Sequence, residues 1–367
     1  MPTSPITPEA VVAALRQVEE PDLKQDLVTL NMVQDIRIDG LAVSFTVVLT
    51  TPACPLKELI QNACITAIRH LVHPEAEVTV NLTARVNRSA ERPGLPGVQH
   101  LVAVASGKGG VGKSTVSVNL AVALAQTGAR VGLLDADIYG PSIPIMLGQE
   151  DAQPLAETVG ERTLMHPIER YGIYLMSIGF LVSRDQAIVW RGPMASNAFK
   201  QLVTDTQWPD LDYLIVDLPP GTGDIHITLS QQFPLTGALI VTTPQAVALS
   251  DARKALAMFL APAINVPVLG VVENMAYFTP PELPDNRYYL FGQGGGTALA
   301  TEFQVPLLGQ IPIVEELREG ADRGEPAARV PTSIAGEAFA RLARSVAQQI
   351  SIRNSGRVTP QQVAPSA

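Results

Sequence analysis

The stretch Leu101-Val102-Ala103-Val104-Ala105-Ser106-Gly107-Lys108-Gly109-Gly110-Val111-Gly112-Lys113-Ser114-Thr115 decides the fold. Its first five residues form an unbroken apolar run, which suits a strand buried on both faces. The turn that follows satisfies Gly-x4-Gly-Lys-Ser, and Ser114–Gln126 reads as a helix. Glycines let backbone N–H groups converge on phosphate oxygens without a Cβ in the way. The helix N-terminus adds the positive end of its dipole. Lys113 is placed to neutralise the β- and γ-phosphates, and the Ser114 hydroxyl to ligate Mg²⁺. The segment Gly107, Lys108, Gly109, Gly110, Val111, Gly112, Lys113, Ser114 and Thr115 is therefore assigned to ATP.

Similar apolar runs recur downstream: Arg130–Leu134, Tyr213–Val216, Ala238–Val241, Val268–Val272 and Pro306–Leu308. Helical stretches such as Leu249–Leu260 fit between them. This alternation predicts an α/β domain with a doubly wound, mostly parallel sheet over residues 100–350. Two of the runs end in acid. Val131–Leu134 leads into Asp135-Ala136-Asp137, and Leu214–Val216 into Asp217-Leu218-Pro219-Pro220-Gly221-Thr222-Gly223-Asp224. A carboxylate at the carboxyl end of a parallel strand can meet the Mg²⁺ shell, and Asp217 takes that role. Asp137 is assigned to the attacking water. Asp135 is assigned either to the Mg²⁺ shell or to a lysine. Each lone Asp has the plainer reading of a strand-end cap; three beside one phosphate loop weigh against it. Gly221 and Gly223 supply the freedom a γ-phosphate-sensing loop needs.

The rest of the chain sets bounds. With 46% hydrophobic and 17% charged residues among 367, a substantial core is expected. The net charge of −9 disfavours nucleic acid and anionic membrane as partners. No apolar stretch approaches membrane-helix length, and no signal peptide is visible. Two cysteines, Cys54 and Cys64, suit a reducing cytoplasm. Residues 1–86 read as a small α+β domain. It has a helix at Thr7–Val18, strands Val33–Ile38 and Leu41–Leu49 joined at Asp39-Gly40, a helix at Pro55–His70 and a strand at Val78–Leu82. Residues 87–99, rich in Pro, Gly and charge, form a linker, and residues 351–367 a flexible tail. The region Glu150–Thr206 is irregular and decorates the sheet.

Lys108, a second lysine inside the loop, resembles the deviant phosphate loop of the MinD/ParA/nitrogenase iron-protein class. That likeness implies ATP held between two face-to-face subunits, with Lys108 reaching the partner's nucleotide. The strings Asp135-Ala136-Asp137-Ile138-Tyr139-Gly140-Pro141-Ser142, Arg191-Gly192-Pro193-Met194, Asp217–Asp224 and Glu273-Asn274-Met275 narrow it further. Together they resemble the Mrp/ApbC iron–sulfur cluster carrier ATPases. The first domain, with Thr51-Pro52-Ala53-Cys54-Pro55, is similar to the iron–sulfur-assembly unit fused to bacterial members. The resemblance implies a homodimer that binds and slowly hydrolyses ATP. It also implies transfer of an iron–sulfur cluster to apoproteins, in company with assembly scaffolds, and an adenine contact for Asn274.

The chain departs from the family in one place. Many members carry Cys-x-x-Cys shortly after Asn-x-Met; the segment Glu273–Gly292 has no cysteine. A four-cysteine cluster site cannot form there. Cys54 before Pro55 reads as a helix N-cap whose thiol the dipole would acidify, and is the candidate iron–sulfur ligand. Cys64, at the edge of an apolar helical stripe, reads as structural. Ten helical positions separate the two by about 15 Å, which excludes a disulfide between them. His70 and His73 are placed at a surface helix end. The missing pair leaves a second reading open, an ATP-dependent scaffold or switch without its own cluster. A third, a MinD/ParA-type positioning ATPase, wants a basic membrane or DNA face that the acidic chain lacks. Lys108 argues against a metabolic kinase on the same fold.

Overall fold

The computed structural model describes residues 6–85, 95–160, 162–181, 192–280, 282–283 and 285–354. They fall into two units, one of residues 6–85 with 347–354 and one of residues 95–346. Residues 86–94, Arg191 and residues 355–367 lie outside the described residues; of the expected linker 87–99, the last two residues, Val98 and Gln99, already belong to the strand Val98–Ala105.

In the first unit Thr7 caps the helix Pro8–Leu15, its hydroxyl accepting from the Ala10 N–H at 3.2 Å. Strand Val33–Asp39 turns through Gly40 into Ala42–Leu49, and Gly40 takes the positive φ of 59° that this tight turn requires. Ala42–Leu49 alternates, with Val43, Phe45, Val47 and Leu49 buried. The helix Lys57–Leu71 then crosses over, and Glu77–Ala84 returns parallel to Ala42–Leu49. Leu15, Leu27, Leu49, Ile60 and Ile68 are fully buried in one core, each contributing about 1.5–3 kcal/mol. His70 is exposed but His73 is buried, its Nδ1 accepting from the Glu75 N–H. The terminal helix, Ile334–Asn354, continues past Ile350. In this unit Gln348 donates to Asp22 at 2.6 Å and Ser351 to Thr50 at 2.6 Å.

The second unit is built on an eight-stranded sheet. Its order is Ile168–Arg170, Ile173–Ser177, Val131–Asp135, Leu211–Asp217, Val98–Ala105, Gly237–Thr242, Val268–Glu273, Leu307–Gln310. Only the Ile168–Arg170 edge runs antiparallel. The chain builds first to one side of Val98–Ala105 and then to the other. That makes the carboxyl end of this strand the topological switch point, where doubly wound sheets bind ligands. Leu101–Ala105 is wholly buried, as the unbroken apolar run requires. The irregular region contains a hairpin, Ala156–Val159 with Arg162–Met165, and the helix Gly192–Thr204. Among the described residues no helix is long and apolar enough to cross a membrane.

Candidate functional site

Strand Val98–Ala105 delivers the loop, and Lys113–Ala125 leaves it as a helix buried along most of its length. Gly112 caps that helix at φ 79°, a conformation that L side chains rarely adopt. Gly107 is fixed by packing instead: a Cβ there would lie 2.1 Å from the Asp251 carbonyl group. The helix Ala246–Leu260 thus abuts the loop backbone.

Sheet register assembles the acids. Asp217 pairs with Asp135 across two parallel strands, and Asp135 with Ser177 across the next two. Lys113 Nζ lies 2.7 Å from Asp217 Oδ2 and 3.9 Å from Asp137. Ser114 Oγ donates to the same Asp217 oxygen at 2.6 Å, while Ser117 Oγ donates to Oδ1 at 2.6 Å. Asp217 is fully buried, so Lys113 neutralises a charge that would otherwise be costly. A pocket of about 200 Å³ opens here, lined by Lys108, Lys113, Ser114, Asp137, Ser142 and Pro220 among others. The Gly221 N–H donates to the Ser106 carbonyl at 2.8 Å, which docks the Pro220–Asp224 loop against the phosphate loop.

The predicted site residues of the second unit gather here. Asp135 accepts from Ser177 Oγ at 3.0 Å and from the Asp137 and Ile143 N–H groups. Burial, reinforced by the charge of Asp217, pushes its carboxyl up to about 7. Burial also raises Asp137, offset by Lys113. Asn274, buried, donates to the Val111 carbonyl at 2.9 Å. Lys108 is exposed.

One correction concerns Cys54, expected at the helix cap. The helix starts at Lys57 with Leu56 at the cap, because Pro55 and Leu56 both belong to the preceding turn. Cys54 therefore lies outside the first helical turn, where the dipole acts. Burial pushes its thiol up, and the nearby carboxylates Glu20 and Asp22 add to the shift. Cys64 is fully buried and pushed up to about 12. Both thiols are free, and no group of three or more His, Cys, Asp or Glu among the described residues could hold a metal.

Three residues of the site escape sequence reading. Ser117 carries a faint signal, as a polar residue one helical turn after Lys113 in an apolar helix. Ser177 ends a strand whose register no local pattern gives. His226 sits buried on the helix Asp224–Gln232 that follows the Pro-Pro-Gly loop; neither ring nitrogen makes a hydrogen bond of good geometry, although the Gly223 and Pro219 backbone lies close enough to favour its protonation weakly. Burial holds its imidazole down at about 4. Between about pH 6.5 and 4 the unfolded chain then binds the extra proton, so acidification costs stability. His226→Leu should raise the unfolding free energy by about 1–2 kcal/mol at neutral pH and flatten the loss below pH 6.5. Denaturant titrations near pH 7 and pH 5 check this; an unchanged pH dependence contradicts it.

A family model described as NUBPL iron-transfer P-loop NTPase matches residues 97–347, and one for iron–sulfur cluster assembly proteins matches residues 8–82. An iron–sulfur cluster carrier protein of Synechocystis is 49% identical over 351 residues, covering 95% of this chain and 99% of the relative. One from Deinococcus radiodurans is 48% identical over 354 residues, covering 96% and 98%. Among solved structures, a nucleotide-binding protein from Archaeoglobus fulgidus in complex with ADP matches at 40% identity with a TM-score of 0.53. That match covers 62% of this chain and 87% of the other. Similarity that reaches across nearly the whole length, over both units, admits one conclusion: this chain belongs to the family of NUBPL-type iron-transfer P-loop NTPases.

Proposed function

We propose that the protein is a homodimeric, cytoplasmic ATPase that carries iron–sulfur clusters and passes them to apoproteins. The observation that carries the ATPase half is the convergence of Lys113, Ser114, Asp217 and Asp137 on one pocket at the sheet's switch point. ATP enters along Gly107–Thr115. Lys113 turns from Asp217 to the phosphate oxygens. Ser114 and Asp217, whose oxygens already lie 2.6 Å apart, form a hard-oxygen donor set that fits Mg²⁺. Held by these two residues, the ion would supply charge withdrawal from the phosphates. Water attacks the γ-phosphorus, the bond to the β–γ bridging oxygen breaks, and Asp137 accepts the water's proton. Its raised affinity for a proton suits that task. ADP and phosphate leave, and the Asp137 and Pro220–Asp224 segments relax. Lys108, exposed on the loop, reaches the nucleotide of the partner subunit. Asp135, held by Ser177 and two backbone N–H groups, supports the Asp137 turn.

The cluster is cargo, and its ligands are not those of the relatives with Cys-x-x-Cys. The first unit presents Cys54, the less buried of the two thiols, at 9% exposure against 0% for Cys64. Two copies, or one copy with a recipient thiol, supply more than one such ligand. Anaerobic reconstitution tests it. Cys54→Ala should lower iron and sulfide per dimer by at least about half, since a lost thiolate ligand is not replaced by alanine. Equal loading of variant and wild type removes Cys54 from the cluster. A second reading, an ATP-dependent switch without its own cluster, is favoured by the segment Glu273–Gly292, which holds no cysteine. Failure of the wild type to pass a cluster to an apo-ferredoxin decides for it.

A further inference from the structure

Asn274 ends the strand Val268–Glu273 and is 5% exposed. Its Nδ2 donates to the Val111 carbonyl oxygen at 2.9 Å, in the middle of the phosphate loop. The contact is tight: a Cβ on Gly112 would lie 2.2 Å from the same Nδ2. Residues on either side hold Asn274 in place. Its own N–H donates to the Thr242 carbonyl at 2.8 Å, across to the neighbouring strand. The Glu273 carboxylate, 1% exposed, accepts from the Gly296 N–H and from Gln310 Nε2, each at 2.6 Å. Met275 follows at φ 54°, a left-handed backbone that a non-glycine residue keeps only where its surroundings over-determine it.

A trans peptide points its C=O and the next N–H in opposite directions. Pinning the Val111 carbonyl to Asn274 therefore turns the Gly112 N–H away from Asn274. Gly112 lines the phosphate pocket with Lys113 and Ser114. Through one hydrogen bond Asn274 fixes the orientation of the peptide that leads into Lys113.

We infer that Asn274 is a positioning residue for the phosphate loop, acting on the polyphosphate through Val111 and Gly112 whatever base the nucleotide carries. This goes beyond an adenine contact, and it rests on the nucleotide reading above. A base contact and a loop brace differ in what they recognise. The brace matters as much for a ligand with a different base, or with none.

The test is calorimetric titration of the full-length protein and Asn274→Ala with MgATP, MgITP and magnesium tripolyphosphate. The brace predicts that all three weaken by a similar factor, about tenfold for a buried carbonyl left without its donor. Amide hydrogen exchange without ligand adds a readout that general destabilisation does not mimic. Exchange should quicken over residues 108–112 and stay unchanged in the core strand Leu211–Asp217. Asn274→Leu, which keeps the branched shape and adds no charge but loses the donor, should behave as alanine does and guards against a packing effect. Weakening confined to MgATP, with MgITP and tripolyphosphate binding as to the wild type, overturns the inference in favour of a base contact. So does faster exchange spread through the core strands. If tripolyphosphate alone is too weak to measure, the MgITP comparison decides. A wild type that binds none of the three fails the nucleotide reading itself, a separate result.

Discussion

Lys113→Ala should lower ATP turnover by about 10³-fold and destabilise the fold together, because one ammonium group serves both. Its Nζ sits 2.7 Å from Asp217, with side-chain exposures of 6% and 0%. Removing it leaves a fully buried carboxylate with only the Ser114 and Ser117 hydroxyls as donors. Breaking a buried pair from one side costs about 3–5 kcal/mol. The two effects separate in the double variant. Lys113→Ala with Asp217→Asn removes both charges and should recover most of the lost stability, with turnover still absent. Denaturant unfolding and phosphate release measure the two. A single variant as stable as wild type means that Asp217 carries no charge needing compensation. A double variant that turns over ATP removes Lys113 from the chemistry.

Lys108→Ala should behave in the opposite way. The residue is exposed, so folding should change by less than about 0.5 kcal/mol. Turnover should fall by about 10³-fold, the low end of the scale for a cation supplied from a neighbouring subunit to a phosphoryl-transfer site. Nucleotide affinity should stay within a few-fold of wild type, since the loop amides and Lys113 remain. Sedimentation with and without MgATP supplies the second readout, and the variant should lose ATP-dependent dimers. Turnover and dimerisation both intact would show that Lys108 does not act across an interface.

Much of this was legible before any coordinates because parallel strands buried on both faces leave unbroken apolar runs. Leu101–Ala105, Val131–Leu134 and Tyr213–Val216 are such runs; the phosphate loop follows the first, and the acidic ends of the other two mark the edge where the site lies. The contacts of those acids were not legible. Asp135 could serve a cation, a lysine or the backbone equally well by sequence. Its contact with Ser177 is set by strand register across a long connection. Ser117 needed the helix and Asp217 in one frame. The misread Cys54 has a local cause. Proline favours the first helical position, but Pro55 and Leu56 spend themselves on a turn, so the helix starts two residues late. His226 gives no sequence signal, since a ring left without a good hydrogen bond is a property of what surrounds it.

The contact between Lys113 and Asp217 also bears on the order in which ligands are taken up. In this arrangement the groups suited to an anion and to a cation satisfy each other. A polyphosphate arriving alone draws the lysine away and strands a carboxylate in a dry interior. A divalent cation arriving alone meets an ammonium already in its place. On the proposed nucleotide reading each ligand would remove the obstacle to the other, so their binding should be cooperative, and by reciprocity each should raise the affinity for the other by the same factor. Such a site would discriminate against free polyanions and free cations and select the neutralised complex of the two.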